Sequence, residues 1–364
     1  MKRYRLLLMI AAALLGGCAS LGYYSQAAHG QFSLLSAAKP IDQWLADPAT
    51  DARLKDQLTK AQAMRRFAVR ELALPDNRSY TSYADVQRPF VLWNVVATPA
   101  LSLQPRQWCF PVAGCVRYRG YYSKEAAQAY AAELRAEGND VQVSGVPAYS
   151  TLGWFNDPLI STFIHYPDGE LARLVFHELA HQVVYAAGDS EFNEAFATAV
   201  EEAGVQRWLA VQGDEAMRSK YAAFERRKSD FHALLLKHRQ LLEINYASNV
   251  GDADKYRHKA QIFQSLQDDY QALKISWGGY AGYDRWFAEP LSNAHLAAVA
   301  TYQDLVPGFR ALLAHEKNFD RFYAAVAALS RLDKAERQQL VRGFAQNQFS
   351  RCLTGQCADQ LSFK

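Results

Sequence analysis

His177 and His181 enclose a Glu-Leu-Ala spacer, and two imidazoles so spaced can meet at one point only if the backbone between them is helical. At about 3.6 residues per turn they stand one above the other on a single face. Glu178 lies beside them on the same helix, where its carboxylate can reach a water next to a bound ion without becoming a ligand itself. The His-Glu-x-x-His pattern therefore supplies two metal ligands and a general base. A catalytic zinc takes three protein ligands and keeps a fourth position open. The chain must thus fold into a helix here and return a further ligand to it, and the chemistry indicated is metal-assisted hydrolysis of peptide bonds.

The flanking residues support this. From Glu170 to Ala187 there is neither Gly nor Pro, and Gly188 predicts a helix stop after Ala187. Asp168 and Glu170 suit the positive end of the helix dipole. A second helix is expected from Ser190 through Arg207, with Ser190 as N-cap and Asn193 completing half a capping box. The short Gly188-Asp189 link favours an antiparallel pair. In an ideal antiparallel return Thr198 comes level with the ion, leaving Glu194 about 6 Å to one side and Glu201 slightly less to the other. Spacing alone does not choose between these two acids, and Asp189 is a weaker third candidate.

The string from Asn193-Glu194 to Val200-Glu201 resembles the second-helix motif of the gluzincin aminopeptidases. That resemblance implies Glu194 as the third Zn²⁺ ligand and Glu201 as the acid that supports a zinc histidine from behind. The loop between the two motifs is shorter here than in those enzymes. The chain as a whole resembles the proteobacterial putative aminopeptidase family, zincin-type lipoproteins, over almost all of its mature length. The likeness rests on Gly22-Tyr-Tyr-Ser-Gln with Gly30-Gln31, Leu74-Pro-Asp-Asn-Arg-Ser-Tyr80, Trp108-Cys-Phe-Pro-Val-Ala-Gly-Cys115, Pro147-Ala-Tyr-Ser-Thr-Leu-Gly-Trp-Phe155 and both metal motifs. It implies a zinc peptide hydrolase, an aminopeptidase by family. Gluzincin aminopeptidases recognise the free α-amine with a Gly-x-Met-Glu-Asn string, and none occurs here. Exopeptidase action accordingly rests on the resemblance alone. The alternatives are an endopeptidase of envelope proteins and, from another class, a non-catalytic metal-binding envelope lipoprotein with an assembly role. Those enzymes also place a tyrosine after the metal motifs to stabilise the oxyanion. Tyr302 is the candidate, with Tyr280 and Tyr283 as alternatives.

The expected fold is α+β and predominantly helical: a zincin-like core between helical N- and C-terminal regions. Phe90–Val96, Cys115–Tyr121 and Asp140–Val146 read as strands around a helix at Lys124–Ala136. A helix is expected around Ala52–Glu71 with Thr50 as its cap, and a long helical hairpin at Asp214–Ala247 and Asp252–Leu273. The implied division is residues 1–17 as a signal peptide, 18–84 as an N-terminal helical region, 85–210 as the catalytic core and 211–364 as a helical C-terminal region. Zincins commonly bind substrate as an added strand, and Tyr149, Ser150, Thr151, Leu152 and Gly153 are the candidate edge.

Lys2, Arg3 and Arg5 precede an apolar run from Leu6 to Leu15, and Leu15-Gly16-Gly17-Cys18 reads as a lipobox. The run is shorter than the ~20 residues a permanent span needs. Cys18 is therefore the expected lipidated N-terminus, tethering a globular domain to a membrane, by resemblance to bacterial lipoproteins the outer membrane facing the periplasm. Of five cysteines, Cys109, Cys115, Cys352 and Cys357 remain as an even set in an oxidising compartment, most simply paired locally. A formal charge of +3 over 364 residues, with no basic stripe, argues against a nucleic-acid partner. The expected partners are a peptide substrate and a membrane; nothing points to a particular protein partner.

Overall fold

A computed structural model of the chain describes residues 22–110, 114–299 and 304–346. It is an α+β fold in which helices predominate. Three helices come first: α1 (22–37), α2 (Ile41–Ala46) and α3 (Ala52–Leu72). Asp51, not Thr50, caps α3, its carboxylate accepting from the N–H groups of Arg53 and Leu54. A charged oxygen next to two unpaired amides is the stronger cap.

The strands are β1 (Lys39–Pro40), β2 (Ser82–Ala84), β3 (Leu92–Pro99), β4 (Trp108–Phe110), β5 (Gly114–Val116), β6 (Arg119–Tyr121), β7 (Asn139–Val146) and β8 (Leu159–Ile160), with helix α4 (Lys124–Ala136) before β7. The main sheet is antiparallel in the order β6-β3-β7, and Asn94 of β3 lies opposite both Gly120 and Ser144. A second sheet has the order β1-β2-β8. The strand expected over Cys115–Tyr121 is divided. Its first half pairs with β4, where Cys109 and Cys115 face each other and are joined by a disulfide; its second half pairs with β3. The cross-link holds the first half in a hairpin of its own.

Alternation along β3 sorts its side chains to two faces. Trp93, Val95 and Ala97 pack with Tyr121 and Val141 onto Ala127, Ala131 and Leu134 of α4. Leu92 and Asn94 point the other way, into a cleft.

The remaining helices are α5 (Asp168–Ala180), α6 (Ser190–Gln212), α7 (Glu215–Ala247), α8 (Asp252–Ser276), α9 (Asn293–Val299), α10 (Val306–Glu316), α11 (Phe319–Ser330) and α12 (Lys334–Ala345). The principal core draws on residues from Leu34 to Val341, with α5 and α6 contributing fully buried Phe176, Phe192 and Phe196. The α7–α8 hairpin forms a separate apolar cluster around Phe231, Leu266 and Tyr270. Among the described residues no helix is long and apolar enough to cross a membrane.

Candidate functional site

Helix α5 ends at Ala180 with His181 as its C-cap, seven residues before the stop predicted at Ala187. The helical bonding gives way to tight turns, Gln182 N–H to Leu179 C=O and Val183 N–H to Ala180 C=O. Beyond them Asn193 takes over the backbone: its carboxamide accepts from Ala186 N–H at 2.8 Å and donates to Ala186 C=O at 2.9 Å. A side chain from the next helix thus satisfies groups that a longer α5 would have satisfied itself. Asn193 is therefore no part of a capping box. The N-cap of α6 is Asp189, which accepts from Phe192 N–H, and Ser190 is the first helical residue.

The two helices run antiparallel, as their contacts show. Glu194 lies beside His177 and His181, whereas Glu201, further along α6, meets His177 and Arg173, which sits further back on α5. His177 Nε2 and His181 Nε2 are 3.2 Å apart, His177 Nε2 is 3.3 Å from Glu194 Oε2, and His181 Nε2 is 3.8 Å from Glu194 Oε1. These three side chains could hold a metal ion. Ligands at about 2.0–2.1 Å from a tetrahedral zinc lie about 3.3 Å from one another, so two of the three separations match that geometry and the third needs a small carboxylate adjustment. The donor set, two imidazoles and a carboxylate, is that of a catalytic zinc.

Glu201 is 1% exposed. It accepts from Arg173 Nη1 at 3.0 and 3.2 Å and from Lys228 Nζ at 3.4 Å, and lies 2.8 Å from His177 Nδ1. Burial works against its charge, but Arg173, His177 and Lys228 outweigh that and hold the carboxyl well below the usual range. His177 feels the reverse: burial opposes its charged form, yet Glu201 and Glu194 push the metal-free imidazole up to about 10. Burial draws His181 down to about 4. Glu178 is 8% exposed, is no member of the ligand group, and is lifted by burial to about 7.

The site opens on a cleft of about 540 Å³, lined by His177, Glu178, His181 and Glu194, by Leu92, Asn94, Gly120 and Val146 of the main sheet, and by Tyr23 of α1. Tyr149, Ser150 and Leu152 also line it, but Tyr149–Gly153 is not a strand. Leu152 and Gly153 have φ of 57° and 81°. Thr151 N–H donates to Asp157 and Leu152 N–H to Ser150 Oγ, so these amides are already used within the turn. The expected substrate edge is therefore not a strand, and the cleft is bordered instead by the face of the main sheet and by its outer strand β6.

Asp189 is not a ligand. It is fully buried, bonded to Arg337 Nε at 3.0 Å and Gln338 Nε2 at 2.9 Å. Tyr280 lies over Arg227 and Tyr283 stacks on Phe231; neither lines the cleft. Tyr302, Cys18, Cys352 and Cys357 lie outside the described residues. The cleft instead presents Tyr118, Tyr122, Tyr149 and Tyr185. Sequence reasoning also missed Arg173, although it stands four residues before His177 on the same helical face, a spacing that could have marked it.

An antiparallel helix pair beside a small sheet thus carries two imidazoles and a carboxylate that could hold a metal ion. A family model described as "Putative aminopeptidase" matches residues 22–341, and the chain belongs to that family. Comparison with curated proteins and with solved structures returns no match.

Proposed function

We propose that this protein is a zinc-dependent peptide hydrolase, and in keeping with its family an aminopeptidase, with His177, His181 and Glu194 holding the ion. The reading is carried by one observation: these three groups converge while Glu178, outside the ligand set, faces the same cleft. When bound, the zinc polarises the scissile carbonyl and acidifies the attacking water. Glu178 takes the water's proton and delivers it to the leaving nitrogen; a carboxyl that burial sets close to neutrality is suited to both transfers. Glu201, its carboxylate 2.8 Å from His177 Nδ1, favours the proton on that nitrogen and so leaves the Nε2 lone pair for the ion. Arg173 and Lys228 keep Glu201 charged while it does so.

The test is peptide turnover by purified protein. It should stop with a chelator, return with zinc, and fall by about 10²–10⁴-fold in Glu178→Gln with zinc content unchanged. Normal turnover by that variant would refute the assignment of the base. Comparing N-terminally blocked with free peptides separates endopeptidase from aminopeptidase action. We also propose that Cys18 carries lipid and tethers the domain to the outer membrane, facing the periplasm.

A further inference from the structure

The floor of the cleft is the face of β3 and β6 turned away from α4, and Asn94 stands near its middle. The Oδ1 atom of Asn94 is buried and has no hydrogen-bond partner in the protein. Opposite it in the ladder is Gly120, where an added Cβ would come within 3.4 Å of that oxygen and 3.9 Å of Leu92. A glycine in a strand marks a place where another backbone can come close. An amide oxygen so placed can accept from an N–H, and the group that offers N–H at regular intervals is a peptide main chain. Around it the walls are aromatic and apolar: Tyr23 and Phe110, which stack on each other, with Val146 and Tyr149.

We propose that the substrate peptide lies across the open face of β3 and β6, with one of its main-chain N–H groups donating to Asn94 Oδ1 and its side chains against the Tyr23–Phe110 wall. Recognition is then by a side-chain amide on the sheet's face, not by addition of a strand at its edge. Asn94 is a positioning residue, in the same cleft as the metal ligands and the base but bonded to none of them. The inference rests on the peptide-hydrolase reading and specifies its substrate as a peptide with bulky apolar side chains.

Binding can be read without turnover. In zinc-loaded protein carrying Glu178→Gln, the affinities of acetyl-Gly-Phe-Leu-Gly-amide and of the same peptide with a free amine are measured by calorimetry. Asn94→Leu keeps the size of the side chain but removes the acceptor, and should weaken the blocked peptide at least tenfold with zinc content and thermal midpoint unchanged. Asn94→Asp retains an acceptor and should stay within about threefold. Gly120→Val, which crowds the floor beside Asn94 Oδ1 while leaving Asn94 itself in place, should weaken binding as Asn94→Leu does and guards against a folding defect at one position. Overturning results are a blocked peptide bound within twofold of the parent by both Asn94→Leu and Gly120→Val, or loss confined to the free-amine peptide. If the zinc-loaded parent binds neither peptide, the hydrolase reading fails together with this one.

Discussion

Replacing Glu201 by Gln tests the support behind the metal site. The carboxylate is 1% exposed, receives hydrogen bonds from Arg173 and Lys228 and lies against His177 Nδ1, so a neutral amide of the same shape leaves these cationic groups facing a partner with one acceptor oxygen. Arg173 is only 21% exposed, and its charge would then lie beside an NH₂ group. Breaking a buried pair by removing one partner costs about 3–5 kcal/mol. At roughly 2 °C per kcal/mol for a chain of this size, the melting temperature should fall by about 6–10 °C. Loss of the acid behind a metal histidine should also weaken zinc about 10–100-fold. The stability difference should depend on pH with a definite sign. Because the folded-state pKa of Glu201 lies below its ordinary 4.5, its contribution is present above that value and is lost as pH falls through the folded pKa. Thermal unfolding of wild type and Glu201→Gln at pH 7.5 and pH 3.5, with zinc affinity from chelator competition, reads both effects. A variant melting within 2 °C of wild type at pH 7.5 and binding zinc equally well would refute the argument.

Two further outcomes follow from the same residues. Zinc requires a neutral imidazole, yet Glu201 and Glu194 hold metal-free His177 protonated up to about 10 against the effect of burial, so zinc uptake at pH 7.5 should release close to one proton; affinity should rise about tenfold per pH unit near neutrality, and calorimetry in buffers of different ionisation enthalpy that finds less than about 0.3 proton would contradict this. If Cys18 carries the lipid anchor, Cys18→Ser should move the protein from the membrane fraction to the soluble one, whereas unchanged membrane association would remove the proposal.

Much of the helical frame was legible because it is encoded locally. Lys124–Ala136 has the bounds expected, and the α7–α8 hairpin departs from expectation only at its ends. The grouping of His177, His181 and Glu194 was legible for a mixed reason: the two histidines follow from helical period, but the choice of Glu194 over Glu201 came from a resemblance. Several of the misses depend on tertiary contacts. Where α5 stops depends on Asn193 reaching back to Ala186, the fate of Asp189 depends on Arg337 far along the chain, and the division of Cys115–Tyr121 depends on a disulfide and on β3. Arg337 lies far along the chain from Asp189; Asn193 and the Cys109–Cys115 link are near in sequence, but what they do to the backbone depends on how the chain folds back on itself.

What the sequence determined by itself is a short-range matter. A His-Glu-x-x-His spacing specifies its own geometry once the segment is helical, since a turn of helix spans only a few residues. The tertiary structure decided what surrounds that geometry. It buried Glu201 among three cations, turned the face of the main sheet toward the metal centre, and placed α1 on the wall of the cleft. Those arrangements depend on which surfaces lose water against one another, and that is settled by the packing of distant segments.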